Sequence, residues 1–152
     1  RLSMLRSPIW PDPTADRGKH SIEYALYPHE QTWRQAQTIH RGYELNNPLI
    51  AVMADAHQGS LPEEYSFIRL EPANLVLTTV KKAEDSDAWI VQWYETDGKD
   101  VDAVLTLPNS PQKVLTTNVM EEDGTVVPSM GKSVNIPTKK YSTKTVKVYF
   151  GK

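Results

Sequence analysis

Trp89-Ile90-Val91-Gln92-Trp93-Tyr94-Glu95-Thr96, followed by Asp97-Gly98 and then by Val101-Asp102-Ala103-Val104-Leu105-Thr106-Leu107, is the stretch that decides the fold. Side chains of a strand point alternately to opposite faces, so Trp89, Val91 and Trp93 share one face, as do Val101, Ala103, Leu105 and Leu107. The Asp-Gly pair between them is a turn signal. Working outward, Phe67 to Leu70, Asn74 to Lys82, Lys113 to Met120, Ser133 to Ile136 and Thr143 to Phe150 are further short β-rich runs, and Asp123-Gly124 reads as another turn. Val146, Val148 and Phe150 form a third apolar face. Strands of this length and spacing predict an antiparallel sandwich whose apolar faces meet in one core.

The chain has 152 residues and a formal net charge of −2. That length suffices for a real core, as one domain or two small ones. So little charge creates no field that would gather polyanions or acidic lipid, which argues against nucleic acid and membrane partners. The absence of cysteine excludes a disulfide framework, a thiolate metal site and a cysteine nucleophile, and fits a reducing compartment. No apolar run approaches the roughly 20 residues of a membrane helix. The chain begins with Arg1 rather than Met, inside a stretch that already reads as strand, so an excised or cleaved C-terminal piece is expected.

Upstream of the β-rich region the character differs. Arg1 to Ser7, Ser21 to Tyr27 and Leu49 to Asp55 read as strands, with Ile22, Tyr24 and Leu26 on one face of the second. Between the first two, Pro8, Pro11 and Pro13 remove backbone donors and restrict φ, so Ser7 to Lys19 should be a stiff excursion. Thr32 and Gln35 have capping-box spacing, and Trp33, Ala36, Ile39 and Tyr43 make one apolar stripe. These signals predict a helix from about Trp33 to Leu45, stopped by Asn46-Asn47-Pro48. His57 to Glu64 is the best linker. The expected organisation is residues 1–58 as one block and residues 62–152 as a terminal sandwich.

The chemistry-bearing residues are sparse. His20, His29, His40 and His57 lack the spacing of a zinc motif, and hydrogen-bonding or surface roles are the ordinary reading. No H-E-x-x-H, G-x-S-x-G or phosphate loop is present. Glycoside hydrolysis requires two carboxyl groups facing one bond, whereas Glu63-Glu64, Glu84-Asp85 and Glu121-Glu122 read as solvated turn acids. Asp12 and Asp16 stand on the stiffer loop. Arg17, before Gly18, has a guanidinium suited to a sugar hydroxyl or to a carboxylate of another domain, or to tying down the loop itself. Trp10 is the aromatic residue expected to be exposed, as a sugar-stacking platform. Lys139, Lys140, Lys144 and Lys147 read as protection of an edge strand.

The series Leu5-Arg6-Ser7-Pro8, Pro11-Asp12-Pro13, Asp16-Arg17-Gly18 and Tyr24-Ala25-Leu26-Tyr27-Pro28-His29 resembles the C-terminal region of the family 38 α-mannosidases, especially the cytosolic and bacterial branch. So do Tyr43-Glu44-Leu45-Asn46-Asn47-Pro48-Leu49, Val80 to Ser86, Tyr94-Glu95 and the Thr117-Asn118 to Glu121-Glu122 stretch. The resemblance implies a mainly all-β chain, in which residues 1–58 end a large β-sandwich with one helix and residues 62–152 form a small antiparallel, immunoglobulin-like sandwich. It implies a parent that hydrolyses terminal α-mannosidic bonds with retention, using zinc held in a catalytic domain that has no counterpart here. This chain would bind no metal, would be inactive alone, and would pack against the catalytic and other β domains of a cytoplasmic enzyme acting on mannose-containing oligosaccharides. Relatives carry an Asp-Asp-x-Arg-Gly loop approaching the sugar; this chain has Thr14-Ala15 where the paired acids fall, so only Arg17, with Asp16 beside it, carries over. The rival readings are a free-standing carbohydrate-binding module built on Trp10 and a purely structural interaction domain.

Overall fold

The computed structural model of the protein describes residues 2–151. Among the described residues the single helix, α1, spans Thr38–Asn46, and the strands follow it: β1 Arg69–Glu71, β2 Leu75–Lys82, β3 Trp89–Glu95, β4 Val101–Thr106, β5 Pro111–Thr117, β6 Asp123–Val126, β7 Ser129–Met130, β8 Ser133–Thr138 and β9 Thr143–Phe150. They form a four-stranded sheet of order β1-β4-β8-β7 and a five-stranded sheet of order β2-β3-β9-β5-β6. Every pairing is antiparallel. The mainly β class and the terminal antiparallel sandwich are therefore those expected.

The core lies between the sheets, where alternation placed it. Val91, Trp93, Ala103, Leu105, Leu107, Val146 and Val148 are all buried there with Val114, Val134 and Ile136, while Trp89, Val101 and Phe150 pack at its margin. Fully burying such side chains contributes about 1.5–3 kcal/mol each. Trp93 brings a polar group inside, and its indole Nε1–H donates to Thr138 Oγ1 at 3.1 Å. Without that acceptor the ring would bury an unsatisfied donor.

Three of the connections that switch between sheets are gathered by one carboxylate. Glu95 continues the Trp89-Val91-Trp93 face, and its side chain is buried at the end of β3 with 2% exposure. One oxygen accepts from the Asn74 amide and the Asp97 N–H, each at 2.7 Å; the other accepts from the Gly98 N–H at 2.8 Å and the Tyr141 N–H at 2.9 Å. Asn74 precedes β2, Asp97-Gly98 joins β3 to β4, and Tyr141 joins β8 to β9. Burial by itself raises this carboxyl's pKa, but the hydrogen bonds from Tyr141, Asn74, Asp97 and Gly98 together outweigh it and hold the value below the ordinary one. Gly98 has φ +76°, and a Cβ there would stand 2.4 Å from the Tyr141 hydroxyl, so both conformation and space require glycine.

Several local expectations are corrected. The strands expected at Ser21 to Tyr27 and Leu49 to Asp55 do not form, nor does the part of Arg1 to Ser7 within the described residues; Arg1 itself lies outside them. A strand is stabilised by its neighbour's ladder, and among the described residues these segments pair with nothing. The Thr32–Gln35 capping box does form, with the Thr32 N–H reaching Gln35 Oε1 at 3.2 Å and the Gln35 N–H reaching Thr32 Oγ1 at 3.4 Å. Gln37, at φ +51°, then interrupts the turn, and the regular helix starts only at Thr38. Asp123-Gly124 belongs to β6 rather than a turn, with Gly124 lying against Thr116.

The basic C-terminal run is likewise not at an edge. β9 lies in the middle of its sheet, and Lys147, paired across to Ile90 and Leu115, is buried on the outer face. The β2–β3 and β5–β6 connections fold over it, and its ammonium reaches Asp85 at 2.7 Å and Asp123 at 3.4 Å. The hydrogen bond to Asp85 raises the lysine pKa against the opposing effect of burial, with Asp123 adding to the rise. Glu121 is also drawn in, reaching Lys81 at 2.7 Å and accepting the Glu84 N–H at 2.8 Å. Asp85 and Glu121 thus clamp the two connections together rather than being merely solvated turn acids.

Candidate functional site

The proline-rich loop is a run of tight turns. The Asp12 carboxylate accepts from the Thr14 N–H at 2.8 Å and from its hydroxyl at 2.7 Å, and these two bonds, hydroxyl first, lower its pKa. Backbone bonds from Ala15 to Asp12 and from Arg17 to Thr14 continue the turn. Asp16 takes a left-handed conformation at φ +57°, Gly18 has φ +135°, and His20 Nε2 donates to the Asp16 carbonyl at 2.8 Å. Short polar side chains tolerate these backbone states, which explains the composition of the loop.

Asp16 and Arg17 are both exposed. Among the described residues neither side chain makes an ion pair or hydrogen bond, so Arg17 does not tie the loop down through its neighbour. Trp10 is 85% exposed, as its loop position suggested. Trp33 is also partly open, with the Arg34 guanidinium 4.2 Å from its ring centroid. Trp89 and Trp93 belong to the sandwich.

The four histidines do not converge. His20 bonds the Asp16 carbonyl and His40 the Ala73 carbonyl, while His29 and His57 turn to the carbonyls of their own neighbours. No cluster of three or more histidine, aspartate or glutamate side chains suited to a metal occurs among the described residues. The donor set present does not fit zinc. A helix long and apolar enough to cross a membrane is also lacking among those residues.

Sequence reasoning missed the joint between α1 and the sandwich. His40 Nε2 donates to Ala73 at 2.7 Å, and Arg34 Nη2 donates to the Tyr141 hydroxyl at 3.0 Å. Tyr94 is pushed up to about 12 by burial first and then by the Tyr43 hydroxyl. A cleft of about 80 Å³ remains here, lined in part by Trp33, Thr38, His40 and Asn74. Ligand pockets ordinarily begin at roughly 300 Å³, so the cleft is a packing feature. The even spacing of Tyr43 and His40 on the helix was the available signal, but their partners lie too far along the chain to be read from it.

Comparison with known proteins agrees with these features. Residues 74–147 match the family described as glycosyl hydrolases family 38 C-terminal beta sandwich domain. The chain is 36% identical to alpha-mannosidase 2C1 of Homo sapiens over 123 residues, covering 79% of this chain and 12% of that protein. It is 35% identical to the Mus musculus protein of the same name and 34% identical to alpha-mannosidase G of Dictyostelium discoideum, each alignment covering 80% of this chain and 12% of the relative. The chain thus spans about an eighth of the length of these relatives. Its paired sheets, the extent of the match and the identity to several α-mannosidases place the chain in glycosyl hydrolase family 38, in the region of its C-terminal β-sandwich.

Proposed function

We propose that this chain is the C-terminal, non-catalytic portion of an α-mannosidase that hydrolyses terminal α-mannosidic bonds with retention. Residues 1–58 complete a large β-sandwich whose other strands belong to the parent, and residues 62–152 form the small terminal one. Zinc and the nucleophile belong to a catalytic domain outside the chain, against which the first block packs in the cytoplasm. Arg17, with Asp16 beside it, either helps to position a mannose-containing oligosaccharide or braces the catalytic domain. Trp10 offers a stacking face.

One observation carries this reading. The first block buries almost none of its apolar side chains: Leu49 and Met53 are fully exposed, and Leu26, Ile50 and Val52 nearly so. A surface of that kind is the mark of an interface. The test is complementation. The rest of the parent enzyme, expressed without this segment, should lose hydrolysis of an aryl α-mannoside and regain it when the chain is added. The chain alone, with zinc supplied, should be inactive, and cleavage above background by it would overturn the proposal.

The exposure of Trp10 favours a second reading, a carbohydrate-binding module. Titration of the isolated chain with mannose or mannobiose separates the two. A module binds in isolation and loses affinity on Trp10→Ala.

A further inference from the structure

The turn that carries Arg17 is held on both sides by its own side chains. Upstream, Asp12 grips Thr14 through two hydrogen bonds, and the Thr14 carbonyl accepts from the Arg17 N–H at 3.3 Å. Downstream, His20 Nε2 lies 2.8 Å from the Asp16 carbonyl, across Arg17, Gly18 and Lys19. A carbonyl can only accept, so Nε2 carries the proton. The neutral Nε2–H tautomer and the imidazolium both satisfy that requirement.

The bond falls where the backbone most needs holding. Asp16, at φ +57°, is in the left-handed region, which a residue with a Cβ occupies at a cost, and Gly18 at φ +135° follows. A Cβ at Gly18 would meet no atom within 4 Å, so conformation rather than close approach selects glycine there. Arg17 therefore stands between two residues of positive φ, with its backbone N–H engaged and its guanidinium free among the described residues. The nearest acids do not capture it: Asp12 is occupied by Thr14, and Asp16 forms no ion pair with it.

We infer that His20 is a positioning residue for Arg17: by holding the Asp16 carbonyl it sets the direction in which the guanidinium leaves the loop. The inference rests on the reading that this loop faces the sugar site of an α-mannosidase. A preset guanidinium loses less freedom on meeting its ligand than one on a mobile loop. The aromatic or aliphatic character of position 20 is immaterial; a donor at the reach of Nε2 is what the geometry requires, and the amide nitrogen of glutamine has nearly that reach.

The experiment uses the parent mannosidase carrying this segment, with Arg17→Ala, His20→Ala, His20→Gln and the Arg17→Ala/His20→Ala double variant, assayed on an aryl α-mannoside. His20→Ala is expected to lower kcat/KM by roughly tenfold to a hundredfold, the scale of a misplaced contact group. His20→Gln should restore most of that loss, and His20→Ala should add nothing once Arg17 is gone. Additive losses, or failure of glutamine to rescue while the melting temperature is unchanged, would overturn the positioning role. Full activity of His20→Ala alongside a loss in Arg17→Ala would overturn it too, while leaving the loop's contact with the sugar site intact. If Arg17→Ala is itself without effect, the reading beneath both falls.

Discussion

Residues 2–66 and the somewhat longer stretch 67–151 both contain strand-like apolar runs, yet only the second half forms strands. In that half Trp89, Val91 and Trp93 face Ala103, Leu105 and the valines of β9 across a closed core. In the first, Leu26, Leu49, Val52 and Met53 face outward. The difference teaches that alternation specifies which face is to be buried, not that a partner is present to bury it. A run becomes a strand when a neighbour supplies the other half of its hydrogen bonds, and only the second half contains its own neighbours.

The strongest way to break this contrast is to attack the core of the second half. Trp93→Ala removes a fully buried ring together with its hydrogen bond to the Thr138 hydroxyl, so it should destabilise the sandwich by about 3–5 kcal/mol in denaturant titrations of the isolated chain. A loss below about 1 kcal/mol would mean that the sheets are not packed as described.

Glu95→Gln should come next, at roughly 2–4 kcal/mol, because the amide presents a donor to N–H groups that need an acceptor. Its pH signature follows from the lowered pKa. A carboxylate favoured in the folded state contributes stability that is present above its unfolded value, near 4.5, and lost as pH falls through the still lower folded value. The denaturation midpoint of the wild-type chain should therefore drop through that acid window, and the Glu95→Gln variant should drop less steeply. Lys147 has the opposite sign: its raised pKa contributes stability below its unfolded value of 10.5 that is lost as pH rises through the folded one.

Gly98→Ala tests the same end of the sandwich by backbone conformation. A Cβ at φ +76°, crowding the Tyr141 ring, should cost at least about 1–2 kcal/mol. The smallest effect sharpens the comparison from the other side. Leu49→Ser with Met53→Ser should leave the unfolding midpoint of the isolated chain within about 0.5 kcal/mol, since neither side chain is buried in it. The same pair should reduce binding of an apolar dye and impair complementation of the parent. Destabilisation comparable to that of Trp93→Ala would show that the first half has a core after all.

Particular residues show how far the sequence could be read. The alternation through Trp89, Val101 and Val146 located the core, and the ends of β3, β4 and β9 were legible within a residue or two. β6 and β7 were not. They are short, Asp123-Gly124 mimics a turn, and their assignment depends on Leu115 and Val134 across the ladder. Thr32 and Gln35 correctly announced a capping box, but nothing in that spacing disclosed that Gln37 would turn left-handed and delay the helix. Of the loop, Arg17, Asp16 and Trp10 could be named as candidates from residue type and resemblance, while the bond from His20 could not, because it depends on a backbone conformation rather than a motif.

By itself, the sequence determined the period of the long core strands, the faces that exclude water, the glycine and proline punctuation and the family resemblance. These are local properties, set by side-chain polarity and by φ restrictions within a few residues. The tertiary structure alone decided that β9 is central rather than an edge, that Lys147 is buried against Asp85, and that Glu95 joins three connections. Each depends on groups distant along the chain. A charge or carboxylate becomes structural only when folding both removes its water and supplies the partners that replace it.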